Sequence, residues 1–269
     1  KYLPNKNKYL IKIIYIIQCT NYEEFQKLKL ELKNKIIKSN LFISFIYGGK
    51  SGVAVSRNIA IKKSKTKYLL FFDLDCFFKN DLTSFIKFLE KKEYKYIYFS
   101  NMNDYDDANS SILPRINKLL FIPGFFYKYL FCIIAIIKSP TYNIIVNPSY
   151  CREKSIFFDT NLGLGSYYKQ SDEALFLIYL FKALIKDKLK FDNLYNADCI
   201  EAESRSHQNY RDLYFALQSK GYVIRKGFKI ISGLVLIFPT SIIFALKHRK
   251  SYNPFKALFL VIKGFINPK

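Results

Sequence analysis

Asp73 and Asp75 flank Leu74 directly after an apolar stretch, Tyr68 to Phe72. Carboxylates placed there cannot enter a core without partners. Oxygen ligands at i and i+2 suit a hard divalent cation, which is held by one or two carboxylates together with substrate phosphates and water. Just upstream, the glycine-rich turn Gly48–Gly52 leads into a short basic helix carrying Arg57 and Asn58. A cation beside such a helix suits a nucleoside diphosphate, whose negative charge both would hold. Taken alone, Asp-x-Asp equally describes a solvated turn after a core strand. A second acidic pair, Asp172-Glu173, follows Ser171. There the simplest reading is a helix start, with serine as N-cap and acids in the first turn.

These residues need a frame, and the chain provides one in order. Ile11–Ile17 is a β-branched run of the kind seen in buried parallel strands. Thr20 is placed to cap the following helix, with Glu23 closing a capping box. Phe25, Leu28, Leu32 and Ile36 then recur as one helical stripe, and Leu41–Tyr47 reads as a second strand. A β-α-β start with polar groups in the strand-end loop is the nucleotide-binding half of an open α/β sheet. Further on, 81–91 reads as a helix, and Tyr94–Phe99 and Asn143–Asn147 as strands. Asp104, Asp106 and Asp107 stand in a polar loop. Tyr210–Gly221 reads as an amphipathic helix stopped by its glycine.

Two stretches are greasy enough to raise the question of lipid. Leu119–Ile137 is interrupted only by Lys128 but broken by Pro123-Gly124, and reads as an apolar insertion or a buried helix. Ile230–Leu246 is apolar, contains Pro239 and has cations on both sides. It is short for a bilayer crossing, which takes roughly 20 apolar residues. A re-entrant or in-plane helix pair resting on an anionic leaflet fits it better than a crossing, and Phe255–Phe265 repeats the theme.

The 269 residues carry 43 Lys+Arg against 21 Asp+Glu, a net charge of +22. That surplus calls for polyanionic company: nucleic acid, anionic lipid or phosphate-bearing substrates. No carboxylate follows Asp212, while ten lysines and arginines do, around apolar runs. This favours a membrane surface over nucleic acid. Half of the chain is hydrophobic, which excludes disorder as a description of the whole. Cys19, Cys76, Cys132, Cys151 and Cys199 form no C-x-x-C pair and suit a reduced, cytoplasmic protein. The first apolar run contains Lys12 and lacks a small-residue cleavage site, so it is not read as a signal peptide.

The string SGVAVSRNIAIKKSKTKYLLFFDLDC resembles the core of family-2 glycosyltransferases of the GT-A fold. Gly52, Ser56, Arg57, Asn58, Ala60, Ile61, Tyr68, Leu70, Phe72, Asp73 and Asp75 match the family's glycine–Arg-Asn helix and D-x-D strand. A second landmark, REKSIFFDTNLGLGSYYKQSDEALFL, matches through Phe158, Asp159, Leu162, Gly163, Gly165, Ser171, Asp172 and Glu173. The resemblance implies an α/β, Rossmann-like open sheet, mostly parallel and flanked by helices. It implies a metal-assisted, inverting transfer of a sugar from a nucleotide-diphosphate donor, UDP-linked by family habit, to a glycan or lipid-linked acceptor. Asp75 and Asp73 would hold Mn2+ or Mg2+, with His207 as a further candidate metal or diphosphate contact. Thr20, Asn21 and Tyr22 would touch the nucleotide, and Arg57 and Asn58 would face it. Tyr47 and Gly48 stand where relatives carry a base-reading Asp. Glu173 would take the acceptor's proton with Asp172 in support, an assignment that could be reversed.

The expected organisation is a transferase domain over 1–225, with its nucleotide half at about 10–100 and its acceptor half at about 101–225. A membrane-associating appendage, 226–269, would hold the protein as a peripheral or monotopic occupant of the inner membrane face, in cell-surface polysaccharide or glycolipid synthesis. Two other readings start from the same residues. FFDLDCFF is similar to the nucleophile motif of haloacid-dehalogenase phosphatases, with Asp73 as nucleophile, but Cys76-Phe77 replaces the Gly-Thr that shapes the phosphate pocket. Charge alone would also permit a non-enzymatic membrane- or nucleic-acid-binding protein; no basic-aromatic nucleic-acid module is present, so no nucleic-acid partner is expected.

Overall fold

The computed structural model describes residues 12–36, 42–49, 52–71, 76–78, 98–99, 144–188, 200–202, 210–247 and 253–266. Asp73, Asp75, His207, the acidic loop around Asp104 and the apolar stretch 119–137 lie outside the described residues.

The expected β-α-β start is present. Strand β1 (Lys12–Gln18) and strand β2 (Phe42–Gly49) pair in parallel from Lys12↔Phe42 to Ile17↔Tyr47. Helix α1 (Tyr22–Ile36) joins them and buries Phe25. The cap of α1 sits one residue later than the sequence suggests. Asn21 Oδ1 accepts from the Glu24 N–H at 2.8 Å, and the Glu24 carboxylate accepts from the Thr20 N–H and hydroxyl at 2.7 and 2.5 Å. The helix begins at Tyr22, so Asn21 is its N-cap and Glu24, not Glu23, is the third residue that reaches back.

The other described pairings are antiparallel. Strand β3 (Leu69–Leu70) and strand β5 (Tyr98–Phe99) flank the fully buried β6 (Ile144–Val146), and β4 (Cys76–Phe78) pairs with β7 (Ile200–Ala202). Among the described residues the strands thus form three separate sheets, a parallel pair at the amino-terminal end and two antiparallel groups beyond it.

Helix α2 (Val53–Lys63) is fastened at its start, middle and end. At its start, Gln18 Nε2 donates to the Gly52 carbonyl and to Ser56 Oγ, both at 2.8 Å, tying α2 to the carboxyl end of β1. In its middle, Asn58 binds the backbone of Phe158. At its end, Arg152 on the short helix α3 (Pro148–Glu153) donates to the carbonyls of Ile61 and Ser64 at 2.6 and 2.7 Å. Those carbonyls have no partner within the helix, and a cation suits that end of the dipole.

The core is organised around α4 (Asp172–Lys186), in which Ala174–Ile178, Leu180, Phe181 and Leu184 are all buried. Hydrophobicity all round a helix is what a central position requires. The Phe158 and Phe176 rings stack at 4.1 Å with 1° between planes, and Phe71 meets both edge-on.

Three helices complete the chain: α5 (Tyr210–Gly227), α6 (Ile230–Lys247) and α7 (Pro254–Ile266). Helix α5 does not stop at Gly221. Its backbone continues because Gly221 lies directly against α7: a Cβ there would sit 2.0 Å from the Val261 carbonyl. Gly264 answers from the other side, where a Cβ would sit 2.0 Å from the Gln218 carbonyl. The glycine here permits a close helix crossing, and a helix end is not what it marks. No helix among the described residues is long and apolar enough to cross a membrane.

Candidate active site

Arg57 is the centre of the site. Gly52 starts α2 with extended backbone, and five residues later the helix turns Arg57 inward, so that its side chain is only 9% exposed. The guanidinium Nη1 donates to Asp172 Oδ2 and lies 3.4 Å from Glu173 Oε1. It also rides over the Phe158 ring, 5.4 Å from the centroid. A buried guanidinium needs such company, since an unpaired one would be strongly disfavoured.

The carboxylates come from the first turn of α4. Ser171 holds the N-cap position, but through a left-handed backbone (φ 70°) and with no capping hydrogen bond to its side chain. That backbone turn swings Asp172 inward (side chain 3% exposed) and leaves Glu173 the more open of the two, at 18%. Burial first, and the Glu173 carboxylate second, push Asp172 up to about 8, while Arg57 pulls it the other way. Two acids of unequal exposure around one arginine divide their work: the buried one retains a proton more readily, and the open one faces outward.

The glycine loop within the second motif block is built to let the two blocks touch. The Val53 N–H donates to the Leu164 carbonyl at 3.0 Å, and a Cβ on Gly52 would lie 2.4 Å from that oxygen. Gly163 adopts φ +92°, and a Cβ there would press on Val53 at 2.8 Å and on the Asp172 carboxylate at 3.0 Å. Asn58 seals the junction with a two-way bond to Phe158, donating to its carbonyl at 2.9 Å and accepting from its N–H at 2.8 Å. Phe71, the last described residue before the Asp-Leu-Asp segment, packs on Phe158 and Phe176 in the same place.

The remaining sequence-predicted residues fall in two groups. Thr20, Asn21, Tyr22 and Tyr47 gather at the carboxyl ends of β1 and β2, where open α/β sheets take ligands. Tyr22 and Tyr47 meet edge-on at 5.8 Å and both contact Phe25. Asp73, Asp75 and His207 lie outside the described residues, and among the described residues no cluster of three or more potential metal ligands occurs. Arg57 and Asn58 turn toward the second motif block and engage it.

Two supports escape sequence reasoning altogether. Gln18 ties the end of β1 to α2, as above, and its only signal is a polar residue ending an apolar run. Tyr222, fully buried on α5, donates its hydroxyl to Asp159 Oδ2 at 2.8 Å, and Asn161 Nδ2 lies 3.3 Å from the same hydroxyl. Burial and the Asp159 carboxylate raise its pKa. Nothing in the spacing of residues 159 and 222 announces that bond.

A carboxylate open to one side, with a buried acid and an arginine fixed behind it, has the parts that proton removal from a hydroxyl requires. The model of glycosyl transferase family 2 matches residues 11–149, just over half of the chain. The chain belongs to glycosyl transferase family 2. The phosphatase reading of Asp73 gives way to that membership. No significant match is found among curated proteins. Among solved structures the chain is similar to S. aureus TarS 1–349 in complex with UDP-GlcNAc: 15% identity, 96% of this chain and 79% of that one, TM-score 0.48. It is also similar to TarS 1–349 in complex with UDP (14%, covering 91% and 73%, TM-score 0.45). Against a longer S. aureus TarS chain the figures are 14% identity and TM-score 0.47, with 86% of this chain matched to 43% of that one, so this chain spans less than half its length.

Proposed function

We propose that the protein transfers a sugar from a nucleoside-diphosphate sugar, UDP-linked, to a hydroxyl of a glycan or lipid-linked acceptor. The observation that carries this reading is the Arg57–Asp172–Glu173 cluster, assembled from both motif blocks at one junction. Glu173 is the general base. It accepts the proton of the acceptor hydroxyl as that oxygen attacks the anomeric carbon. The bond from that carbon to the diphosphate oxygen breaks, and the nucleoside diphosphate leaves with the electron pair. Direct displacement inverts the anomeric centre. Asp172 and Arg57 are positioning residues: they hold the first turn of α4 in place and set the charge behind Glu173.

Thr20, Asn21, Tyr22 and Tyr47 receive the nucleotide, with the tyrosines offering aromatic faces to a base in place of a carboxylate. Asp73 and Asp75 are hard oxygen donors whose chemistry fits Mg2+ or Mn2+, and His207 is a third candidate. A cation held there would offset the charge growing on the diphosphate. Cell-surface polysaccharide or lipid-linked glycan assembly is the setting this reading favours.

The test is a panel of nucleotide sugars incubated with the purified chain and Mn2+ or Mg2+, scored for donor hydrolysis and transfer. Turnover of one donor class, abolished by Asp75→Asn without loss of fold, supports the reading. A folded protein that binds and turns over no nucleotide sugar contradicts it.

A further inference from the structure

We propose that α6 and α7 form a rigid in-plane seat for an anionic lipid bilayer. This inference goes beyond the glycosyl-transfer reading and does not depend on it.

On α6, Ile230, Leu234, Val235, Phe238 and Leu246 are exposed, at spacings that place them along one broad face. On α7, Phe255, Phe259 and Ile266 are exposed at i, i+4 and i+11, again one face, with Phe255 82% open to solvent. Lys256 and Lys263 border that face on α7, and Lys229 precedes α6. Contiguous apolar surface rimmed by polar groups marks an interaction site.

The charge identifies the occupant. From residue 213 onward the chain has ten lysines and arginines and no carboxylate. A second copy of this chain would bring like charges together, whereas an anionic leaflet supplies the opposite sign. Lysines beside an apolar helix face can lay their stems along it and keep the ammonium at headgroup level. Since no described helix is long and apolar enough to cross, the helices lie on the leaflet.

The seat is joined firmly to the site. Helix α7 crosses α5 backbone to backbone at Gly221 and Gly264. One residue beyond Gly221, Tyr222 is hydrogen-bonded to Asp159 and Asn161, in the loop that reaches α2 and Asp172. Docking of α6 and α7 therefore sets the orientation of the α2–α4 junction relative to the bilayer.

The experiment is co-sedimentation of the full chain with phosphatidylglycerol-containing vesicles and with pure phosphatidylcholine vesicles at physiological salt. Wild-type protein should partition about 10-fold more strongly onto the anionic vesicles. Val235→Ser with Phe238→Ser, and separately Phe255→Ser with Phe259→Ser, should each lower that partition about 10-fold. Because these side chains are exposed, circular dichroism and donor hydrolysis in solution should stay at the wild-type level. Equal binding to both vesicle types, no binding of wild type, or unchanged binding of either double variant overturns the proposal. So does concentration-dependent self-association of wild type that both double variants abolish. Vesicle binding is read without any donor present, so its failure is distinct from a failure of sugar transfer.

Discussion

Asn58 and Phe158, 100 residues apart in sequence, exchange two hydrogen bonds across the junction of the two motif blocks. One side chain thus satisfies both the N–H and the carbonyl of a residue whose ring also supports Arg57 and packs on Phe71. The acidic turn of α4 and the strand leading into Asp73 are registered on one helix by this contact.

Asn58→Ala should leave both Phe158 backbone groups without that partner and cost about 1–3 kcal/mol, read as a lower urea midpoint. Donor turnover should fall with it. A midpoint within error of wild type would show that the junction is held elsewhere.

Arg57→Ala removes a guanidinium from a cluster that is almost closed to solvent. The expected loss is about 3 kcal/mol. Arg57→Lys keeps the charge but not the fixed, planar guanidinium whose Nη1 reaches both acids, so it should recover only part of the loss. Full recovery by lysine would mean that charge alone is required.

The pH dependence of stability has a definite sign. Asp172 is held up to about 8 in the folded chain, chiefly by burial, whereas an unfolded aspartate titrates near 4, at about 3.9. Between those values the folded state retains a proton that the unfolded state has lost. The contribution of Asp172 to stability is therefore fullest below about pH 4 and is lost as pH rises through about 8. Asp172→Asn should flatten that slope in urea titrations at pH 5, 7 and 9. A slope unchanged by the substitution would place its origin in another group.

Gly264→Ala places a methyl where the Gln218 carbonyl already lies. Neighbouring backbone must shift, at a cost of about 1–3 kcal/mol, visible as a lower Tm. An unaltered Tm would mean that α5 and α7 can part without loss.

Much of this was legible in the chain, for identifiable reasons. The β1-α1-β2 unit is local, and its apolar runs carry the right period, so it lay open to reading apart from a one-residue error in the cap at Asn21. The start of α4 at Asp172 was marked by Ser171 and its following acids, although the backbone and not the serine hydroxyl makes the turn. What spacing does not carry is contact at long range. Arg57 and Asp172 stand 115 residues apart, so their pairing, and the inward turn of Arg57 with it, had to come from tertiary packing. Gly221 shows the same limit: in sequence a glycine after a helical run signals an end, and only the approach of α7 shows that it serves a crossing.

The most direct measurement is transfer by Glu173→Gln, with donor binding measured alongside. Gln keeps the size and polarity of the side chain but cannot accept the acceptor's proton. The turnover number should fall about 10²–10⁴-fold while the donor Kd stays within about twofold. A Glu173→Gln enzyme that transfers sugar at the wild-type rate would contradict the assignment of the base.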